Sequence, residues 1–295
     1  MFIPFAYWKS AIINVINTLT YNGQQGIECA TTNVNNPNLY PPSSGMTMSP
    51  DGTKVFAVLH NGNNEGFVRD SVIQFNLSTP WDLTTMSTQA GGTPSINSFP
   101  SYNENSPYGA HFSPDGLNLY VHGIQLNRIY RYTLGTAYTP STATAHSSFA
   151  TGLTGAGGIS FSNDGTYMFV ANTSQVVTRF LLSTAWDVTT ASTNGSTKTI
   201  QYGTSIYFTP DGLNLYCFGG TAQIYRYNLA TAWDLGSTTI ITNSGNISTI
   251  VTVQGPSGIY LSSDGTRFFF SNYVGAGNSV KAVDFSIPFN VTGAI

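Results

Sequence analysis

Short runs of alternating apolar and polar residues make up most of the chain from residue 44 onward. Between residues 157 and 203, the runs at 158–162, 167–171 and 176–182 each fit a β-strand, because successive side chains of a strand point to opposite faces. A Ser-Asn-Asp-Gly turn at 162–165 joins the first run to the second. Glycine supplies the left-handed backbone that returns the chain into the next strand. The pattern predicts antiparallel strands joined by hairpins.

This combination of strands and turn occurs five times. In most copies the turn has proline at its first central position, where proline presets φ. The turn aspartates, which we predict to be structural, are Asp51, Asp115, Asp164, Asp211 and Asp264. They lie roughly 50 residues apart, which is the repeat length of β-propeller blades.

A second motif follows the third strand of each copy. It reads Ser-Thr-Ala-Trp-Asp-Val at 183–188 and has close variants at 78–83 and 230–235. An aromatic residue occupies the same place in every copy. We predict that these aromatic residues are structural: Trp81, Tyr138, Trp186, Trp233 and Phe289. The first four copies then offer a fourth strand, for example residues 198–202.

The fifth copy ends near the C-terminus without a fourth strand. Residues 26–31 precede the first copy at the offset where a fourth strand precedes each later copy. We therefore expect an all-β fold, a five-bladed β-propeller of four-stranded blades, with the ring closed by an N-terminal strand that completes the last blade. The propeller is expected to span 26–295, with blades beginning near residues 44, 108, 157, 204 and 257.

Residues 1–25 form the predicted N-terminal extension, and two interpretations of it remain open. It is a plug across one end of the propeller, or an anchor to another subunit. In the second case the partner-anchoring residues are Phe2, Phe5, Tyr7 and Trp8. Residues 11–17 fit a strand or an amphipathic helix equally well. The segment lacks the basic region and cleavage site of a signal peptide, so we expect release from a cell by another route, such as lysis.

The composition narrows the choice of partners. Charged residues make up only 8% of the chain, against about 25% in typical soluble domains. The ten Lys and Arg residues are scattered and the net charge is −3, so we expect no nucleic-acid partner. No run approaches the ~20 apolar residues of a membrane span. Spacing alone does not reveal whether Cys29 and Cys217 pair.

Few of the thirteen acidic residues are candidates for catalysis. Eight of them belong to the two repeat motifs. The others are Glu28, Glu65, Asp70, Glu104 and Asp284. A glycosidase needs two carboxylates that converge on one bond, whereas these five occupy unrelated places in the repeat. We therefore predict no catalytic residues and no enzymatic activity.

Histidines and arginines fit structural roles. His111 and His122 flank one hairpin, but a metal site needs three or four ligands that meet, so we predict no metal and no cofactor. Arg131, Arg179 and Arg226 occupy equivalent places on third strands. A buried guanidinium needs a partner, and the aspartates of the Trp-Asp motif are the natural ones.

Tyrosine and asparagine in the loops between blades are our predicted ligand-binding residues, because these side chains suit contact with sugars. They are Tyr102, Tyr108, Tyr202, Tyr273, Asn103 and Asn63. The alternative is that each tyrosine packs at the rim of the propeller.

The segment 113–120, Ser-Pro-Asp-Gly-Leu-Asn-Leu-Tyr, resembles propeller repeats of the TolB-like and YVTN-like families. With the motif at 183–188, the whole unit, over about residues 26–293, is similar to repeat proteins of phage virions and related bacterial surface proteins. The resemblance implies a non-enzymatic structural or adhesion protein of a virus particle, in a phage tail or on a capsid. It also implies contact with other virion proteins, self-association as a homo-oligomer and attachment to a host surface polysaccharide. The alternative is a lectin-like propeller of a bacterial surface, and a glycoside hydrolase comes third.

Overall fold

In the computed structural model the described residues are 19–26, 43–59, 71–87, 107–155, 157–201, 204–220, 222–249, 251, 253, 257–274 and 277–291. They form five antiparallel sheets. The strand at the N-terminus is β1 (Leu19–Gly26), and the first blade contains β2 (Ser43–Met48), β3 (Lys54–Leu59) and β4 (Ser71–Asn76). The second blade contains β5 (Pro107–Phe112), β6 (Asn118–Gly123), β7 (Arg128–Leu134) and β8 (Ala143–Ala150).

The remaining blades repeat this order. The third contains β9 (Ile159–Phe161), β10 (Tyr167–Ala171), β11 (Val176–Leu182) and β12 (Ala191–Thr199). The fourth contains β13 (Ser205–Phe208), β14 (Asn214–Phe218), β15 (Ile224–Leu229) and β16 (Thr238–Asn243). The fifth contains β17 (Ser257–Leu261), β18 (Arg267–Val274), β19 (Gly277–Phe285) and β1. Short 3-10 turns lie at Leu83–Thr85, Pro140–Thr142, Val188–Thr190, Leu235–Ser237 and Ile247–Thr249.

The first strands of the five sheets surround a common axis. β2 contacts β5, β5 contacts β9, and the series continues through β13 and β17 back to β2. The predicted five-bladed propeller is therefore confirmed. In the described part of the first blade there are three strands, and the segment expected to supply its fourth strand lies outside the described residues.

The ring is closed by an N-terminal strand, as predicted, but that strand lies further upstream. β1 pairs antiparallel with β19, from Leu19 opposite Phe285 to Gly26 opposite Ser279. The closing strand was predicted at 26–31, whereas β1 begins at Leu19, inside the stretch that was assigned to the extension. The long β19 needs a partner of similar length, and residues 19–26 supply it.

The outer strand of the third blade also differs from its predicted position at 198–202. β12 begins at Ala191, immediately after the 3-10 turn, and Ala191 pairs with Leu182. Most of its side chains are exposed Ser, Thr and Asn. A strand that is polar on both faces shows no alternation of apolar and polar residues. The first half of β12 was therefore not predicted.

Apolar residues form one cluster at each junction between neighbouring blades. The cluster between the first and last blades joins Met48 and Phe75 to Phe269 and Ala282. Its residues are almost fully buried, so the ring-closing junction packs like the other four. Among the described residues, no helix has the length and apolarity to cross a membrane.

Candidate functional site

The five turns between first and second strands share one set of hydrogen bonds. In the second blade, the Ser113 hydroxyl donates to Asp115 Oδ1 at 2.6 Å, and the Leu117 N–H donates to the same oxygen at 2.9 Å. Asp51, Asp164, Asp211 and Asp264 accept equivalent bonds. These carboxylates stabilise the hairpins on which the ring is built.

The aromatic residue of the second motif packs directly on the turn glycine of its own blade. The backbone N–H of Trp233 donates to the Gly212 carbonyl at 3.0 Å, and the indole of Trp233 covers the place where a Cβ of Gly212 would lie. Gly212 has φ +70°, and Trp233 itself has φ +64°. The other four blades repeat the contact with Trp81, Tyr138, Trp186 and Phe289. The two sequence motifs are therefore one structural unit, which we call the corner.

Each corner is also held by the preceding blade. A donor from that blade bonds to the carbonyl of the corner aromatic. The pairs are Lys54 Nζ to Tyr138 at 3.2 Å, Tyr120 Oη to Trp186 at 2.7 Å, Arg179 Nη1 to Trp233 at 2.9 Å, Arg226 Nη1 to Phe289 at 2.7 Å and Arg267 Nη1 to Trp81 at 2.6 Å. All five junctions carry such a bond, so four cations and the Tyr120 hydroxyl join blade to blade.

Ion pairs reinforce two of these junctions. Arg131 lies 3.6 Å from Asp187, and Arg179 lies 3.9 Å from Asp234. The predicted pairing with these aspartates is present for Arg131 and Arg179, and both pairs link neighbouring blades. Asp82, Asp187 and Asp234 also accept a backbone N–H at the start of the following 3-10 turn.

A cavity of about 240 Å³ lies on the axis, at the end of the ring that carries the turns. The turn residues Pro50, Pro114, Asn163 and Pro210 line its mouth. Its walls are mainly aromatic. They include His111, Phe112, Phe161, Trp186, Tyr207, Phe208, Trp233 and Tyr260. We call this space the axial cavity.

His111, Tyr207 and Tyr260 occupy equivalent places on β5, β13 and β17, two residues before the Ser or Thr that opens each turn. Tyr207 and Tyr260 pack against the apolar clusters between blades, and all three residues also line the axial cavity. The rings of Tyr207 and Tyr260 meet edge to face at 5.2 Å, and His111 lies 5.2 Å from Phe161. These residues form the inner wall of the axial cavity.

The titratable groups of the axial cavity are neutral at neutral pH. Burial lowers the pKa of His111 from 6.5 to about 4. Burial also raises the pKa of Tyr207 and Tyr260 well above 10, and the charges of Asp211 and Asp51 add to the rise at these two hydroxyls. All three residues are only partly exposed, and burial of most of each side chain accounts for the shifts.

The axis narrows toward the opposite end. There Gly158 packs so closely that a Cβ would lie 2.7 Å from the Ile206 backbone nitrogen. The Gly258 N–H donates to Ser205 Oγ at 2.8 Å. A residual space of about 20 Å³ remains, which is enough for about one water molecule. The axial cavity therefore has its opening among the turns.

The structure brings one of the predicted ligand-binding residues to the axis. Tyr108 is half-buried, and its hydroxyl lies 3.2 Å from Thr204 Oγ1 at the narrow end. Tyr273 lies near the end of β18, where it pairs with Asn278. The others lie outside the described residues, as do the anchoring residues of the extension: Tyr102, Asn103, Asn63, Tyr202, Phe2, Phe5, Tyr7 and Trp8.

Sequence reasoning did not identify the axial cavity. The available signal was the place two residues before the turn, which lines the cavity with His111, Ser160, Tyr207 and Tyr260 in the second to fifth blades. Across the part of the chain that the structure describes, no three His, Cys, Asp or Glu side chains are grouped to hold a metal ion.

No family model matches this chain, and no curated protein matches it. Among solved structures it is similar to a luciferin-regenerating enzyme, with 10% identity, coverage of 92% of this chain and 99% of that chain, and a TM-score of 0.48. A putative 6-phosphogluconolactonase from Bacteroides uniformis has 16% identity, coverage of 83% and 67%, and a TM-score of 0.47. The Swd1 propeller domain from Myceliophteria thermophila has 11% identity, coverage of 83% and 70%, and a TM-score of 0.44. At these values the likeness assigns no activity to this chain.

Proposed function

We propose that this chain is a non-enzymatic binding and structural propeller, displayed on the outside of a virus particle as part of a tail or capsid surface. The observation that carries the non-enzymatic part is the use of its acids. Each aspartate in the described part of the chain accepts a hydrogen bond in a turn, a corner or an ion pair. Carboxylates fixed in this way serve the fold and are poorly placed to act as nucleophile or general acid.

Display on a particle is supported by the resemblance of the repeat unit to those of phage virion proteins and by the low charge of the chain. A ring whose five junctions are all bonded suits a rigid module that is exposed to solvent and held in several copies. Adhesion to a host surface polysaccharide fits the abundance of Tyr, Asn and Ser in the loops between blades. Contacts with other virion proteins belong to the same proposal.

A lectin-like propeller of a bacterial surface is the second candidate. Tyr108, half-buried beside Thr204 at the narrow end of the axis, favours it, because an aromatic ring with a hydroxyl is the chemistry of sugar contact. The genes on either side of the coding sequence distinguish the two candidates. Tail or capsid genes there support display on a virion, and sugar-utilisation or secretion genes contradict it.

Display is tested by trimming the extension in the virus that encodes the chain. Deletion of residues 1–18 leaves β1 in place, so the ring should fold with an unchanged urea midpoint while the protein disappears from purified particles. Deletion of residues 1–26 also removes β1 and should impair folding, which provides the matched control. If purified particles contain the variant without residues 1–18 at the normal level, residues 1–18 are not an anchor and this part of the proposal is contradicted.

The absence of catalysis is tested with intact surface polysaccharides and the full chain. We expect saturable retention of a polysaccharide without any shortening, measured by sedimentation of the complex and by an assay for newly formed reducing ends. Release of reducing ends that depends on the amount of protein would contradict the non-enzymatic function. In that case Glu104 and Asp70 are the acids to replace first.

A further inference from the structure

The axial cavity has aromatic walls of a kind that attract positive charge. Trp186 and Trp233 reach it from two corners, and Tyr207 and Tyr260 reach it from the first strands. The face of an aromatic ring carries partial negative charge, and a cation within about 6 Å of its centre is attracted, most strongly where water is excluded. In this cavity several rings surround one space.

The charges around the axial cavity have the matching sign. Asp51 and Asp211 lie in the turns at its mouth, and both act on hydroxyl groups inside it, namely those of Tyr260 and Tyr207. Burial opposes the ionisation of Asp51, but hydrogen bonds from Ser49 and Thr53 outweigh it and lower the pKa of this carboxyl. None of the described residues that line the cavity is Lys or Arg. The lining itself therefore carries no positive charge, and the carboxylates at the mouth face it.

We propose that the axial cavity is a binding site for a small organic cation that carries a methylated ammonium group, such as the head group of choline. This site is independent of where the protein is displayed. The apolar rings accept the methyl groups, while ring faces and turn aspartates stabilise the positive charge. The cavity volume of about 240 Å³ is below the range for drug-sized ligands, which limits the occupant to a small molecule or a head group.

Other ligand classes fit less well. A metal ion requires oxygen or nitrogen ligands that replace its water, and the walls offer mainly carbon. An anion is repelled by the aspartates. A sugar ring stacks on aromatic side chains, but its hydroxyls point outward in all directions and each needs a partner. His111, Ser160, Asn163, Tyr207 and Tyr260 supply some such partners, but the walls are mainly aromatic carbon.

Calorimetric titration of the full chain distinguishes these classes. The probes are choline, its uncharged isostere 3,3-dimethyl-1-butanol and methyl glucoside. We expect choline to bind at least about tenfold more tightly than the isostere, since the two differ mainly in charge. Equal affinity for both would overturn recognition of the cation. Binding of methyl glucoside alone, or of none of the three probes, would overturn the proposal.

Variants of one wall residue test the location. Tyr260→Leu removes a ring and should weaken choline binding about tenfold, whereas Tyr260→Phe keeps the ring and should change it by less than about threefold. Phe149→Leu, an aromatic loss on the outer strand β8, serves as the matched control with unchanged binding. If Tyr260→Leu and Tyr260→Phe change choline affinity equally, the ring of Tyr260 does not contact the cation, and the proposed location is overturned.

The contribution of the turn charges is tested separately, in a variant that keeps the turn. Asp211→Asn retains the Oδ1 acceptor of the Leu213 N–H but removes the charge. Choline affinity should fall about threefold while the affinity of the isostere stays constant. A loss that is equal for both probes would show damage to the cavity rather than to its potential, and would overturn the electrostatic part of the proposal.

Discussion

His122 and His111 should make the stability of the propeller fall between pH 6.5 and 4. His122 is fully buried on β6, with its Nδ1 3.1 Å from the Gly157 carbonyl. Nε2 of His122 finds no hydrogen-bond partner among the described residues. Burial lowers its pKa from 6.5 to about 4, and the Gly157 carbonyl only partly opposes this effect. Burial lowers the pKa of His111 to a similar value.

The sign follows from which state takes up the proton. The unfolded chain protonates these histidines near pH 6.5, whereas the folded protein keeps them neutral down to about pH 4. Each histidine therefore stabilises the fold fully above pH 6.5, and its contribution is lost as the pH falls toward 4. For His122 the loss between pH 7.5 and pH 4.5 is about 2.5 kcal/mol. His111 adds less than that, because it is partly exposed.

Urea unfolding at pH 7.5, 6.0 and 4.5 measures this loss. We expect His122→Asn, whose amide replaces the Nδ1–H donor, to be less stable at pH 7.5 but to lose about 2.5 kcal/mol less than the wild type on acidification. His146→Asn is the matched control, because His146 is exposed on β8, and it should leave the pH dependence unchanged. A wild-type change below about 1 kcal/mol, or the same pH dependence in His122→Asn, would refute the reasoning.

Two further predictions concern the corners. Gly212→Ala should cost about 3 kcal/mol, since the left-handed backbone is strained and the indole of Trp233 must move. Gly195→Ala has a similar φ of +76° but open space around it, and should cost only about 1 kcal/mol; equal costs in urea unfolding would contradict packing on the glycine. Arg267→Met should cost about 2 kcal/mol, because it breaks the bond to the Trp81 carbonyl of the next blade and the ion pair with Asp284 of its own blade. Arg128→Met, which loses bonds within its own blade, should cost less than about 1 kcal/mol, and the reverse order would contradict the role of the cations.

Much of the fold follows from the sequence, because its determinants repeat. The turn glycines and corner aromatics occur once in every blade, and together they reveal the number of blades and their boundaries. Residues 167–171 and 176–182 were predicted as strands and form β10 and β11 with those bounds. The polar β12 and the closing β1 were misplaced, since an outer strand with one face in water needs little apolar patterning.

The axial cavity escaped prediction for the opposite reason. Four blades contribute the same place in the repeat to its inner wall, but that place holds different residue types: His111, Ser160, Tyr207 and Tyr260. Only closure of the ring brings these side chains to one axis. No pattern within a single repeat reveals that they meet, because their sequence separation spans the whole chain.

Residues that repeat in every blade hold the ring together, whereas residues that vary from blade to blade line the cavity. Where all five blades need the same contact, as Gly212 and Trp233 provide in the fourth blade, the residue type is nearly constant and its role is to hold the ring. The place two residues before the turn makes no contact that is repeated in all five blades, so its residue type differs from blade to blade. Tyr207 and Tyr260 stand there, with rings that contact each other across the blade junction and also line the cavity. In a repeat protein, variation at a place that the fold directs to a shared cavity therefore indicates ligand recognition better than repetition does.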